Sequence, residues 1–144
     1  MDYVRRKIVI FHEIMITAAM ILLVTAGIWD LGRKEIPCLL LCGLSVIALF
    51  VFWNSSFWTQ MYDLTIVIFL GIGGLIMVNR GKIGGGDVWI LICFALIWPM
   101  NVFWESLTYA VTILSIVSVG IWMMTGDEKL QIPMVPFLVL GYWM

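Results

Sequence analysis

Long apolar runs, broken by short polar clusters, set the plan of this chain. They extend from about Ile8 to Trp29, Ile36 to Trp53, Leu64 to Val78, Val88 to Trp104, Leu107 to Met124 and Ile132 to Met144. By the usual span criterion these are six candidate transmembrane segments. The last is short and reads as a half-span or as a tilted helix completed by the chain end. Hydrocarbon offers no partners to exposed backbone polar groups, so helices are expected throughout. The expected fold is all-α: a polytopic membrane helix bundle of about six segments, forming one domain over residues 1–144.

Composition turns this pattern into a membrane assignment. The chain is 63% hydrophobic and 12% charged, whereas soluble domains carry about a quarter charged residues. A chain of this size cannot hide so much apolar surface in a soluble core. Trp29, Trp53, Trp58, Trp104 and Trp143 fall near segment ends, where an interfacial aromatic belt places them. The lipid bilayer is therefore an expected partner. A net charge of -1 gives no basic footprint for nucleic acid.

The first segment also imitates a signal peptide, with a basic start and a small-residue stretch Val24-Thr25-Ala26. His12 and Glu13 interrupt it and five more apolar segments follow, so it reads as a retained helix. Cys38 and Cys42 share a helix face by spacing, and Cys93 stands apart. A zinc site needs more ligands than these and the single His12, so the cysteines read as small apolar packing residues. No metal or cofactor is expected. Gly71, Gly73 and Gly74 in the third segment would let neighbouring helices approach closely.

Loop charge orients the bundle. Arg33 and Lys34, Arg80 and Lys82, and Lys129 follow the first, third and fifth segments. The loops from Asn54 to Asp63 and around Glu105 carry no Lys or Arg. The positive-inside rule then puts the charged loops in the cytoplasm. Arg5, Arg6 and Lys7 conflict with this if the first segment spans. They fit if they open a slanting amphipathic stretch through Glu13, with the span starting near Ile14. The sequence leaves the side of the N-terminus open.

Two aspartates lie in the basic loops, in shaped settings. Asp30 ends the first segment, and Ile36-Pro37 follows it. Asp87 comes directly after Gly84-Gly85-Gly86. Carboxylates at a membrane boundary are costly, which points to chemistry. A pair close enough to share a proton can work as acid and base on a peptide bond, with no metal or nucleophilic side chain. The glycines permit positive φ and close backbone approach. Each aspartate also has a plainer reading. Asp87 is a good helix N-cap, and Asp30 an interfacial charge ending a span. Asp63 and Glu105 fall in the loops assigned to the opposite face. Glu35 lacks a shaped setting. Asp127 and Glu128 look like an ordinary solvated loop.

At these positions the chain resembles the type IV prepilin peptidase family, the leader and preflagellin peptidases. Its first pattern, an Asp followed six residues later by Ile-Pro-Asn, is met by Asp30, Ile36 and Pro37, with Cys38 in place of Asn. Its Gly-x-Gly-Asp pattern is met by Gly84 to Asp87, with Trp89 where a Lys often stands. A third, Ile-Pro-x-x-Pro-Phe, resembles Ile132-Pro133-Met134-Val135-Pro136-Phe137. The resemblance implies an intramembrane aspartyl endopeptidase with Asp30 and Asp87 as its catalytic residues. Gly84, Gly85, Gly86, Ile36, Pro37, Pro133 and Pro136 would shape the site. It implies a pilin-like precursor as substrate, with a short basic leader and a hydrophobic helix, cut at the cytoplasmic face of a bacterial or archaeal membrane. Longer members carry a Cys-x-x-Cys methyltransferase domain, which is not expected here. The alternative is a non-enzymatic membrane scaffold or assembly subunit that keeps the peptidase fold. A carrier using the same carboxylates ranks last, because no inverted repeat is visible.

Overall fold

The computed structural model describes the backbone of residues 2–33, 36–55, 57–81, 84–125 and 134–143, and most of their side chains. These form six helices: α1 (Asp2–Arg33), α2 (Cys38–Asn54), α3 (Phe57–Asn79), α4 (Gly85–Ile97), α5 (Met100–Thr125) and α6 (Val135–Trp143). No strand occurs among the described residues. The chain is a helical membrane bundle, as the apolar runs require. Three helices contain stretches long and apolar enough to cross a bilayer: Glu13–Leu31, Thr59–Asn79 and Met100–Met124. The nine residues of α6 reach only about 14 Å, against about 30 Å of hydrocarbon. That length fits a half-span, one of the two readings of the last segment.

Three boundaries differ from the hydropathy pattern. α1 runs unbroken from Asp2, through the stretch whose role the sequence left open. α3 begins at Phe57, so Asp63 lies inside a helix rather than in a loop. The break between α4 and α5 falls at Trp98–Pro99, which puts Glu105 inside α5. Proline accounts for the last shift. Trp98 is extended, at φ -102 and ψ 148, the conformation favoured before proline. The Pro99 carbonyl then accepts the Phe103 N–H at 2.9 Å and starts the next helix. Both neighbours are apolar, so hydropathy alone runs across the break.

α4 is the central helix. It packs against α2 and α3 and touches α5, while α1 packs against α2 and α6, and α6 against α5. Close contacts fix how the helices run past one another. A methyl group added at Gly43 on α2 would lie 3.2 Å from Leu22 of α1. One added at Gly27 on α1 would lie 3.5 Å from the Pro136 backbone of α6. One at Gly141 on α6 would collide with the Ser106 carbonyl of α5. Of the three glycines in the third segment, only Gly74 meets a neighbour, Val88 of α4; Gly71 and Gly73 have open space. These registers bring the C-terminal ends of α1 and α3 together with the N-terminal ends of α2, α4 and α6.

The opposite end of α4 is closed by aromatic rings. Phe94 stacks on Trp98 at 4.4 Å between centroids, with Phe103 at 6.0 Å and Tyr142 at 6.5 Å. Phe94 and Phe103 are fully buried, with Leu23, Leu44, Ile90 and Leu138 in the same core. Apolar burial gains little between helices already in lipid, so packing of this kind carries the cohesion. The ring cluster starts about 10 Å along α4 from Asp87. The polar end and the packed end of the bundle are thus distinct.

Candidate functional site

Asp30 sits in the last turn of α1 and is buried. The backbone N–H of Val135, the first residue of α6, lies within hydrogen-bonding reach of its carboxylate. The four leading N–H groups of a helix have no partner within it and favour a negative group. α6 therefore offers Asp30 a donor. The other carboxylate oxygen, Oδ2, is buried with no hydrogen-bond partner among the described residues. A buried polar atom left open in this way is rare and calls for a reason.

Asp87 is half-buried in the first turn of α4, the third helical residue after the N-cap Gly84. It is not the cap itself. Its carboxylate takes a hydrogen bond from the Gly84 N–H, and its own N–H bonds to the Gly84 carbonyl at 3.2 Å. This is the reach-back half of a capping box. One carboxylate has room for several bonds, so capping leaves acceptor sites free for other work. Asp30 and Asp87 lie within range of each other's charge. The two acidic residues singled out in sequence are thus brought to one place by α1 and α4.

The glycines act through space rather than unusual backbone angles. Gly84 is extended at φ -72 and ψ 144, and Gly85 and Gly86 are helical. Among the described residues, the only glycine with positive φ is Gly81, at 65°. A side chain on Gly86 would meet Ile36 at 3.3 Å, and one on Gly84 would meet the Asp87 carboxylate at 3.3 Å. Gly85 has nothing within 4 Å. So Gly86 is where the Asp87 loop packs against Ile36 of the first motif. Pro37 caps α2, and its carbonyl accepts the Leu40 N–H at 3.0 Å. The structure places Pro136 against Gly27, one turn before Asp30. Pro133, Ile132, Glu35, Lys34, Lys82 and Asp127 to Lys129 lie outside the described residues.

Some contributors were not marked by residue type. Val135 acts through its backbone, and Gly27 by having no side chain. Gly27 stands three residues before Asp30, hence on the same helix face, which is the signal that could have found it. The cysteines correct an expectation. Cys93 is buried as a packing residue should be, but Cys38 and Cys42 are exposed.

The fold is that of an all-helical membrane protein, with two carboxylates gathered where several helix ends meet. The profile of the type IV leader peptidase family matches residues 17–124. The chain belongs to that family, and so to the proteases of the leader-peptidase kind. Comparison with curated proteins and with solved structures finds no match. The matched stretch contains Asp30 and Asp87 and ends before α6.

Proposed function

We propose that the protein is an intramembrane aspartyl endopeptidase that removes the short basic leader of a type IV prepilin-like precursor. Asp30 and Asp87 form its working pair. The single observation that carries this reading is that α1 and α4 bring two carboxylates within range of each other's charge at one end of the bundle. Like charges at close range favour a state in which one group holds the proton and the other does not. The unprotonated carboxylate takes a proton from water as that water attacks the scissile carbonyl. The protonated one donates to the carbonyl oxygen, and proton return to the amine releases the leader.

The surroundings suit this chemistry. The N-terminal ends of α4 and α6 face the pair with backbone donors, and Asp30 is largely removed from solvent. Fixed dipoles in such a setting stabilise developing charge without reorganising. The pair lies at the end of the bundle that also holds Arg80, which the positive-inside rule assigns to the cytoplasm. A precursor's hydrophobic helix would lie in the bilayer beside the bundle and present its leader junction at that face.

The test is coexpression with a pilin-like precursor, followed by gel mobility and N-terminal sequencing of the product. Asp30→Asn and Asp87→Asn should each abolish cleavage. Wild-type cleavage by either variant would overturn the assignment.

A further inference from the structure

We propose that Trp89 is a positioning residue for Asp87, acting through a hydrogen bond to Ser45 that sets the rotation of α4 on α2. This rests on the reading of Asp30 and Asp87 as the working pair. The Trp89 indole Nε1–H donates to Ser45 Oγ at 2.8 Å. The Ser45 hydroxyl in turn donates to the Leu41 carbonyl, one turn back on its own helix, at 2.7 Å. Its proton is thereby committed, and its lone pairs face α4. Cys93 Sγ lies 3.9 Å from the same oxygen. One serine hydroxyl on α2 thus meets two residues four apart on α4, which share a helix face.

Beside this bond, α4 meets the segment leading into α2 through the apolar packing of Gly86 on Ile36. Apolar side chains in lipid tolerate small rotations of a helix, whereas a directional hydrogen bond does not. Trp89 lies two residues beyond Asp87, about 200° around the helix. Anchoring the indole to α2 therefore turns the carboxylate to the other side of α4, where it meets Asp30. The bond sits within one turn of Asp87, where a few degrees of rotation displace its carboxylate most directly. Proton sharing depends on distances of a few tenths of an ångström, so a loosened α4 costs turnover before it costs substrate binding.

Two arms test this. In the cleavage assay, Trp89→Phe keeps the ring and removes the N–H, and Ser45→Ala removes the acceptor. Each should lower kcat about tenfold with KM within about twofold, and the double variant should be no worse than either. Ser45→Thr, which keeps the hydroxyl, should restore most of the rate, and Trp122→Phe, an exposed indole on α5, should leave it unchanged. The second arm needs no catalysis. In the Asp30→Cys/Asp87→Cys variant, with Cys38 and Cys42 replaced and buried Cys93 kept, a short thiol-to-thiol crosslinker should join the two positions. The yield should fall at least threefold when Trp89→Phe or Ser45→Ala is added. An unchanged yield in both, or no crosslink in the parent pair, overturns the proposal. If the wild-type protein cleaves nothing but the yields fall as stated, the positioning stands and the proteolytic reading is what fails.

Discussion

The first N–H of α6, on Val135, points at the carboxylate of Asp30 in the last turn of α1. The N-terminal end of α6 thus has a defined role, supplying a donor to an aspartate on another helix. Proline at the first helical position is well tolerated, because the N–H it lacks has no partner within the helix. Val135→Pro should therefore keep α6 and delete only this donor. Val135→Ala controls for the lost buried side chain. Turnover should fall at least tenfold in the proline variant relative to the alanine control. The two should unfold within about 1 kcal/mol of each other, the usual worth of one hydrogen bond. Equal turnover would mean that the α6 donor does not serve Asp30.

Gly85 and Gly86 are adjacent, yet only one is spatially constrained. An alanine at Gly85 enters open space at the start of α4. It should be neutral or stabilising by up to about 1 kcal/mol, through helix propensity and a less flexible unfolded chain. At Gly86 a methyl group presses on the Cδ1 end of Ile36 at 3.3 Å, which a rotamer change can relieve. Gly86→Ala should be tolerated with a modest loss of rate, whereas Gly86→Leu should push the Asp87 turn away from the Ile36–Pro37 segment and abolish cleavage. Thermal unfolding in detergent and cleavage rates across the series check this order. A Gly85→Ala variant as damaged as Gly86→Leu would show that backbone freedom governs the loop.

The bundle and its polar end were largely legible in the sequence, because they follow from strong signals. Apolar runs locate the helices, and the glycine and proline settings mark Asp30 and Asp87. What was not legible depends on which residues touch. Nothing in the spacing of Gly71, Gly73 and Gly74 tells that only Gly74 meets another helix. The positive φ permitted by Gly84 to Gly86 is not used there, since Gly84 is extended and the next two are helical. Trp98–Pro99 was hidden inside an apolar run because hydropathy does not register a backbone restriction. The indole of Trp89 reads as an isolated departure until Ser45, on a different helix, is found beside it.

Asp63 and Glu105 are the natural controls for the pair. Asp63 lies 16 residues before the end of α3 at Asn79, about 24 Å along the helix from the end that meets the start of α4. Glu105 is exposed near the start of α5, beyond the far end of α4. Neither is positioned to reach a substrate at Asp30 and Asp87. Asp63→Asn and Glu105→Gln should cleave the precursor within about twofold of wild type, a change smaller than about 0.5 kcal/mol in barrier. A tenfold loss in either would move the site to the opposite end of the bundle.

Gly141 joins α6 to α5. A side chain there would collide with the Ser106 carbonyl and lie 3.0 Å from the Ala110 backbone nitrogen. Those neighbours belong to the α5 backbone and have no rotamer to change, in contrast to Ile36 beside Gly86. Gly141→Ala should therefore push α6 off α5, at a cost of about 1–3 kcal/mol, the usual range for overpacking a filled interior. α6 is held on its other side by Pro136 against Gly27, and Val135 leads that same segment. A displacement at Gly141 should then be felt at Asp30, although the two lie on different helices. The expected result is a lowered unfolding temperature in detergent together with a loss of turnover. A second substitution, Ser106→Gly, leaves the offending carbonyl in place and should not rescue the variant. Full stability and full activity in Gly141→Ala would mean that α5 and α6 are free to separate, and that α6 does not depend on α5 to present Val135 to Asp30.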